Sequence, residues 1–165
     1  MSERKWMMMV MVGVLSMAAV ACGEDEEEGS ASYTISDQAL QGQINGASWT
    51  AMSGSARVSS FDENELSIEI YGEQIDDPCG FGVEPTLPFL LTSMPKETGE
   101  RELSFSLSGG DSQTVTFVTP PSDNLIITEG KIRLDAIGDD SVSGGFAGGQ
   151  GDDTLNGTFE VTLCP

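Results

Sequence analysis

Histidine is absent from all 165 residues of this chain. That absence removes Ser-His-Asp and Cys-His catalysis, His-ligated zinc and the helical zinc-protease motif. Basic residues are scarce, with 7 Lys and Arg against 27 Asp and Glu. A net charge of −20 lacks the footprint of a nucleic-acid binder, which must neutralise phosphates. The chain also has no Gly-rich phosphate loop closing on Lys and Ser/Thr, and no dinucleotide fingerprint. Carboxylates are numerous enough for a glycosidase pair. With so many acids, however, chance neighbours are expected, and a small domain leaves little room for a deep sugar cleft. The expectation is a protein that is not an enzyme.

Long apolar runs are missing too. The longest, Trp6 to Val20, falls short of the roughly 20 residues that cross a bilayer. It stands between Arg4-Lys5 and the small residue Ala21, which is the layout of an export signal. Ala19 and Ala21 form an Ala-x-Ala cleavage site, and Cys22 follows at once. The stretch Ala19-Val20-Ala21-Cys22 resembles the lipobox of bacterial lipoproteins, with Ala19 where Leu is commonest. The resemblance covers about the first 22 residues. It implies that residues 1–21 are removed and that Cys22 carries lipid, anchoring the chain to a membrane of the cell envelope. Gly23 stands where an aspartate retains some lipoproteins in the inner membrane, so the outer membrane is the expected location. Plain secretion and an uncleaved anchor are the rival readings of the segment.

Without residues 1–21 the chain keeps 144 residues, with 5 basic and 26 acidic side chains. That is enough for one domain with a real core. Residues 22–32 carry the acidic block Glu24 to Glu28 among Gly and Ser, a composition that repels itself and stays extended. They read as a tether from the anchor to a domain spanning residues 33–165.

Within that domain the period is two. Leu66, Ile68 and Ile70 alternate with Ser67, Glu69 and Tyr71; Leu103, Phe105 and Leu107 alternate with serines. Val115 and Phe117 alternate with threonines, and Ile132, Leu134 and Ala136 with Arg133 and Asp135. The last run sets Leu155, Gly157, Phe159, Val161 and Leu163 on one side. Alternation of this kind predicts half-buried antiparallel strands. Turn residues separate them at Asn45-Gly46, Asp62 to Asn64, Gly109 to Asp111 and Pro120 to Asp123. The expected fold is all-β, an antiparallel sandwich or meander barrel of about eight or nine strands.

Two stretches break the alternation. Asp76 to Pro85 carries prolines and glycines that interrupt any ladder, and reads as a long loop of the kind that often carries function. In an exported protein whose Cys22 is spent on lipid, Cys79 in this loop and Cys164 at the end are the expected disulfide partners. Cys164 has the parity of Glu160 and Thr162, so the bridge is expected outside the main core. The second stretch, Gly148 to Asn156, fits the nonapeptide of calcium-binding β-rolls. A weaker echo starts at Gly138, out of register with the nine-residue repeat. Asp139, Asp140, Asp152 and Asp153 are its candidate Ca²⁺ ligands. The competing reading is a hairpin with a Gly/Asp turn, a strand to about Ala147 and another from Thr154.

The mature domain also resembles a loose group of envelope lipoproteins built on one β domain. Those open with a segment like Gln43 to Ala51 and close with one like Leu155 to Leu163. The group implies architecture and no particular activity. Two functions stay open: a non-catalytic structural or interaction module whose partner is an envelope protein, and a module that binds a small ligand or Ca²⁺ through the 76–85 loop or the acidic 138–153 hairpin.

Overall fold

The computed structural model describes residues 33–108 and 112–165. Eleven strands and no helix lie among them. In chain order they are β1 Gln41–Ile44, β2 Ala47–Thr50, β3 Ser53–Val58, β4 Glu65–Tyr71, β5 Phe89–Pro95 and β6 Gly99–Glu102. There follow β7 Val115–Thr119, β8 Asp123–Ile127, β9 Gly130–Ile137, β10 Ser141–Gln150 and β11 Asp153–Leu163. Nine of them run β6-β9-β10-β11-β3-β4-β5-β7-β8 in one sheet, with the β1–β2 hairpin attached to β11. This sheet curls into a half-barrel, so the all-β expectation holds. Phe117 on β7 and Phe146 on β10 are far apart in strand order, yet their rings meet edge-to-face at 6.3 Å across the inside of the curl. Around them pack Leu66, Ile68, Leu90, Ile132, Leu134 and Val161, all buried.

One pair departs from the antiparallel expectation. β3 joins β11 in parallel, Thr162 opposite Ser55 and Leu163 opposite Ala56. The reason lies in the length of β11, whose second edge is shared by three short segments. β1 covers Thr154 to Asn156, and the lead-in covers Thr158, whose N–H donates to Gln38 O at 2.8 Å. β3 takes the end. Gly157 sits at φ 143°, and a side chain there would stand 2.6 Å from the carbonyl oxygens of Gln38 and Ala39. Only glycine admits the lead-in so closely. Asn156 then latches the same segment, its Oδ1 accepting from Ser36 N–H at 2.8 Å and its Nδ2 donating to Thr34 O at 2.9 Å.

The turns fall where their residues predict. Asn45 and Gly46 have φ of 54° and 70°, and join β1 to β2 in two residues. Asp62 Oδ1 accepts from Asn64 N–H at 2.8 Å between β3 and β4. Pro120 to Ser122 link β7 to β8. The Gly109 to Asp111 turn lies outside the described residues.

Three expectations from alternation fail, each for a reason of pairing or cover. The predicted strand through Leu103, Phe105 and Leu107 stops at Glu102. Leu103 is buried, but Phe105 is 54 % and Leu107 93 % exposed. Among the described residues that stretch has the single Ser104–Gln113 bridge and a bond from Ser106 N–H to Ser112 Oγ at 3.1 Å but no strand beside it, and alternation cannot report a missing partner strand. Ala136 faces solvent instead of the core, because β9 carries one extra residue opposite Ser143 and Gly144. Such a bulge inverts the parity beyond it, and Ile137 packs on the core in its place. Tyr71, expected on a wet face, is 1 % exposed.

Candidate functional site

Tyr71 ends β4 and leads into the connection between β4 and β5, residues 72–88, which holds the loop predicted over Asp76 to Pro85. This connection is pinned along its length. Ser53 Oγ donates to Glu73 O at 2.6 Å and accepts from Ile75 N–H at 3.2 Å. Trp49 Nε1 donates to Pro88 O at 2.9 Å. Cys79 is bonded to Cys164 with 5.5 Å between the α-carbons. Cys164 is buried but stands apart from the contiguous apolar core. Its N–H donates to Ala56 O at 2.8 Å, so the last strand, β3 and the loop are tied at one point. The loop is thereby a held element, with Phe81 fully exposed at its tip.

Tyr71 OH donates to Glu69 Oε2 at 2.6 Å, lies 3.1 Å from Ser55 Oγ, and its ring meets Phe89 edge-on at 6.2 Å. Desolvation, then the hydrogen bond to the Glu69 carboxylate, push the phenol up from 10.0 to about 12. The neutral form is the one the fold accommodates. The stabilisation is present below pH 10 and is lost as pH rises from 10 towards 12, because the unfolded phenol ionises first. Denaturant titrations across that interval are expected to show a loss on the order of 2 kcal/mol in the native chain. Tyr71→Phe removes that loss, and an unchanged slope in the variant would refute the assignment to Tyr71.

The four aspartates do not converge. Asp139 and Asp140 lie in the turn between β9 and β10; Asp152 and Asp153 lie where β10 turns into β11. The ten residues of β10 separate the two pairs, a span of roughly 30 Å at strand rise. Pooling them as one set of calcium ligands is corrected by that distance. Among the described residues no three Asp, Glu, Cys or His side chains gather in a metal-holding group. The nonapeptide stretch is a hairpin, with β10 running on to Gln150 rather than stopping near Ala147. Asp153 has a structural task there: its Oδ1 accepts from Asn45 N–H at 2.6 Å, bracing the β1–β2 turn. Millimolar Ca²⁺ and Mg²⁺ are expected to raise the melting temperature equally and slightly, by screening acidic repulsion. Asp153→Asn leaves that response unchanged. A Ca²⁺-selective gain of about 2.7 kcal/mol, the value at a hundredfold excess over Kd, would restore the calcium site.

A concavity lies elsewhere on the sheet. A groove of about 870 Å³ runs over the solvent-facing side of β4, β5 and β7 and is flanked by β6. Ser67, Ser93 and Thr116 lie on its floor, and Glu65, Glu100 and Glu102 bring carboxylates to it. Lys131 Nζ pairs with Glu100 at 2.8 Å, and Arg101 pairs with Glu97. Reading the sequence for chemistry missed this groove. Its only trace was the charged run Gly99-Glu-Arg-Glu102, too short to carry an alternation.

Cys22, the predicted lipid site, lies outside the described residues, as do the leader 1–21 and the tether to residue 32. No helix among the described residues is long and apolar enough to cross a membrane. No family model, curated protein or solved structure matches this chain.

Proposed function

We propose that this chain is a lipid-anchored, non-catalytic interaction module of the bacterial cell envelope. It hangs from acylated Cys22 on the acidic tether, on the outer membrane, and engages an envelope partner rather than nucleic acid. The observation that carries this reading is the Cys79–Cys164 bridge. Such bonds persist in the oxidising compartments to which a leader like residues 1–21 delivers a chain. The surplus of acids supports it as well, since anionic headgroups repel the domain and keep it projecting from the membrane. The latch of Asn156 on Thr34 and Ser36 gives the tether a fixed point of departure beside β11.

Mass spectrometry of the protein from its own host tests the anchor. The expected mature chain begins at Cys22 and carries acyl mass, and Cys22→Ser loses that mass and leaves the membrane fraction. An unmodified peptide spanning Ala21 to Gly23 would refute it.

A further inference from the structure

The edge of β6 is a stretch of open main chain that faces a cavity. Leu103 N–H donates to Gly130 O at 2.8 Å on the β9 side. Ser104 N–H donates to Gln113 O at 2.8 Å on the other side, and Gln113 N–H returns to Ser104 O at 3.0 Å. Antiparallel ladders change sides with each residue. Residues 99, 101 and 103 therefore turn their polar groups to β9, while 100, 102 and 104 turn theirs away. Ser104 meets Gln113 there. Glu100 and Glu102 meet no second strand among the described residues, because the chain beyond Gln113 swings off to lie between β5 and β8. Among the described residues β9 is the one strand that pairs with β6, so the N–H and C=O groups that Glu100 and Glu102 turn away from it find no ladder partner, and both residues line the groove. Open strand edges of this kind are templates for another extended chain.

Charge selects the occupant. Of the three groove carboxylates only Glu100 has a cation within ion-pair distance, and Arg101 is turned to Glu97. Glu65 and Glu102 enter no ion pair among the described residues. The floor mixes the small hydroxyls of Ser67, Ser93 and Thr116 with Leu91 and Pro95, on which the stems of long basic side chains can lie. We infer that the β6 edge takes up an extended basic peptide segment as an added strand. Its main chain bonds to Glu100 and Glu102, and alternate Lys or Arg side chains, all on one face of a strand, reach Glu65 and Glu102. This names the partner class and surface of the interaction module, and rests on that reading for its setting.

The test uses the full-length protein in detergent and fluorescein-labelled hexapeptides. One alternates Lys and Thr, the second is the same peptide N-methylated at its backbone amides, and the third alternates Glu and Thr. The tether block Glu24 to Glu28 attracts any cation, and N-methylation separates that attraction from strand addition by keeping charge and removing donors. The Lys-Thr peptide is expected to bind, the N-methylated one to bind at least about tenfold more weakly, and the Glu-Thr one not at all. Glu102→Gln weakens the first severalfold, whereas Glu160→Gln, on β11 away from the groove, does not. Equal binding of the two basic peptides, or indifference to Glu102→Gln, overturns the inference. A dimer that competes with the peptide assigns the edge to a second copy and overturns it too. Loss of lipid in Cys22→Ser leaves the peptide result standing, so the anchor and the groove fail separately.

Discussion

Replacing Cys79 with Ser and Cys164 with Ala together lowers the melting temperature by roughly 15 °C at neutral pH. The bridge closes 85 residues of chain, and the lost loop-closure entropy of the unfolded state corresponds to about 4.5 kcal/mol. In a domain of this size each kcal/mol moves the midpoint by roughly 3 to 4 °C. Alanine is chosen at 164 because that side chain is buried, and a serine hydroxyl there would add a desolvation cost of its own. The native chain with a reductant should melt where the double variant does. Calorimetry finding a shift under about 4 °C would mean that the unfolded chain gains little freedom from the cut. The freed 72–88 connection is also expected to become the first site of proteolysis, near Phe81 at its exposed tip.

Phe146→Ala is expected to cost about 4 kcal/mol, in the upper part of the range for large-to-small core changes. The ring is fully buried and holds β10 against Phe117 on β7, so one truncation loses both the burial and the edge-to-face pair. Its neighbours offer little to refill the space. A side chain on Gly148 would stand 3.1 Å from the Phe146 ring and 2.6 Å from Glu129 O, so the ring covers a stretch of strand that has no side chain. The cavity therefore stays open. Phe81→Ala, on a fully exposed ring, should change stability by less than about 0.5 kcal/mol. Chemical denaturation of the two variants side by side checks this. Equal effects would mean that the curl of the sheet does not depend on the Phe117–Phe146 contact.

Much of the architecture was legible in local order. A strand's faces are set by parity, so Leu66, Ile68, Ile70, Val115 and Phe117 declared a core side without any knowledge of their neighbours. Asn45-Gly46 and Asp62 to Asn64 declared turns because their backbone preferences are local. The pairing of Cys79 with Cys164 followed from the cysteine count and the expected export of the chain. Parity is blind to pairing, however. It could not show that the serine-flanked run after Leu103 joins no further strand among the described residues, that an extra residue in β9 exchanges Ala136 for Ile137, or that Tyr71 is buried. It could not show that β3 lies parallel to β11. It also set Asp139 and Asp153 in one acidic hairpin, although a strand of β10's length holds them at opposite ends.

The groove belongs wholly to tertiary structure. Its floor comes from β4, β5 and β7 and its flank from β6, which lies at the far end of the sheet's strand order. Only the curl brings that flank beside the floor, and the curl depends on twist and core packing summed over the whole sheet. Composition, the faces of the strands, the turns and the expected anchor at Cys22 were set by residues near one another in the chain. Which main-chain groups stay open, and which carboxylates face them, was decided by contacts between residues far apart in it.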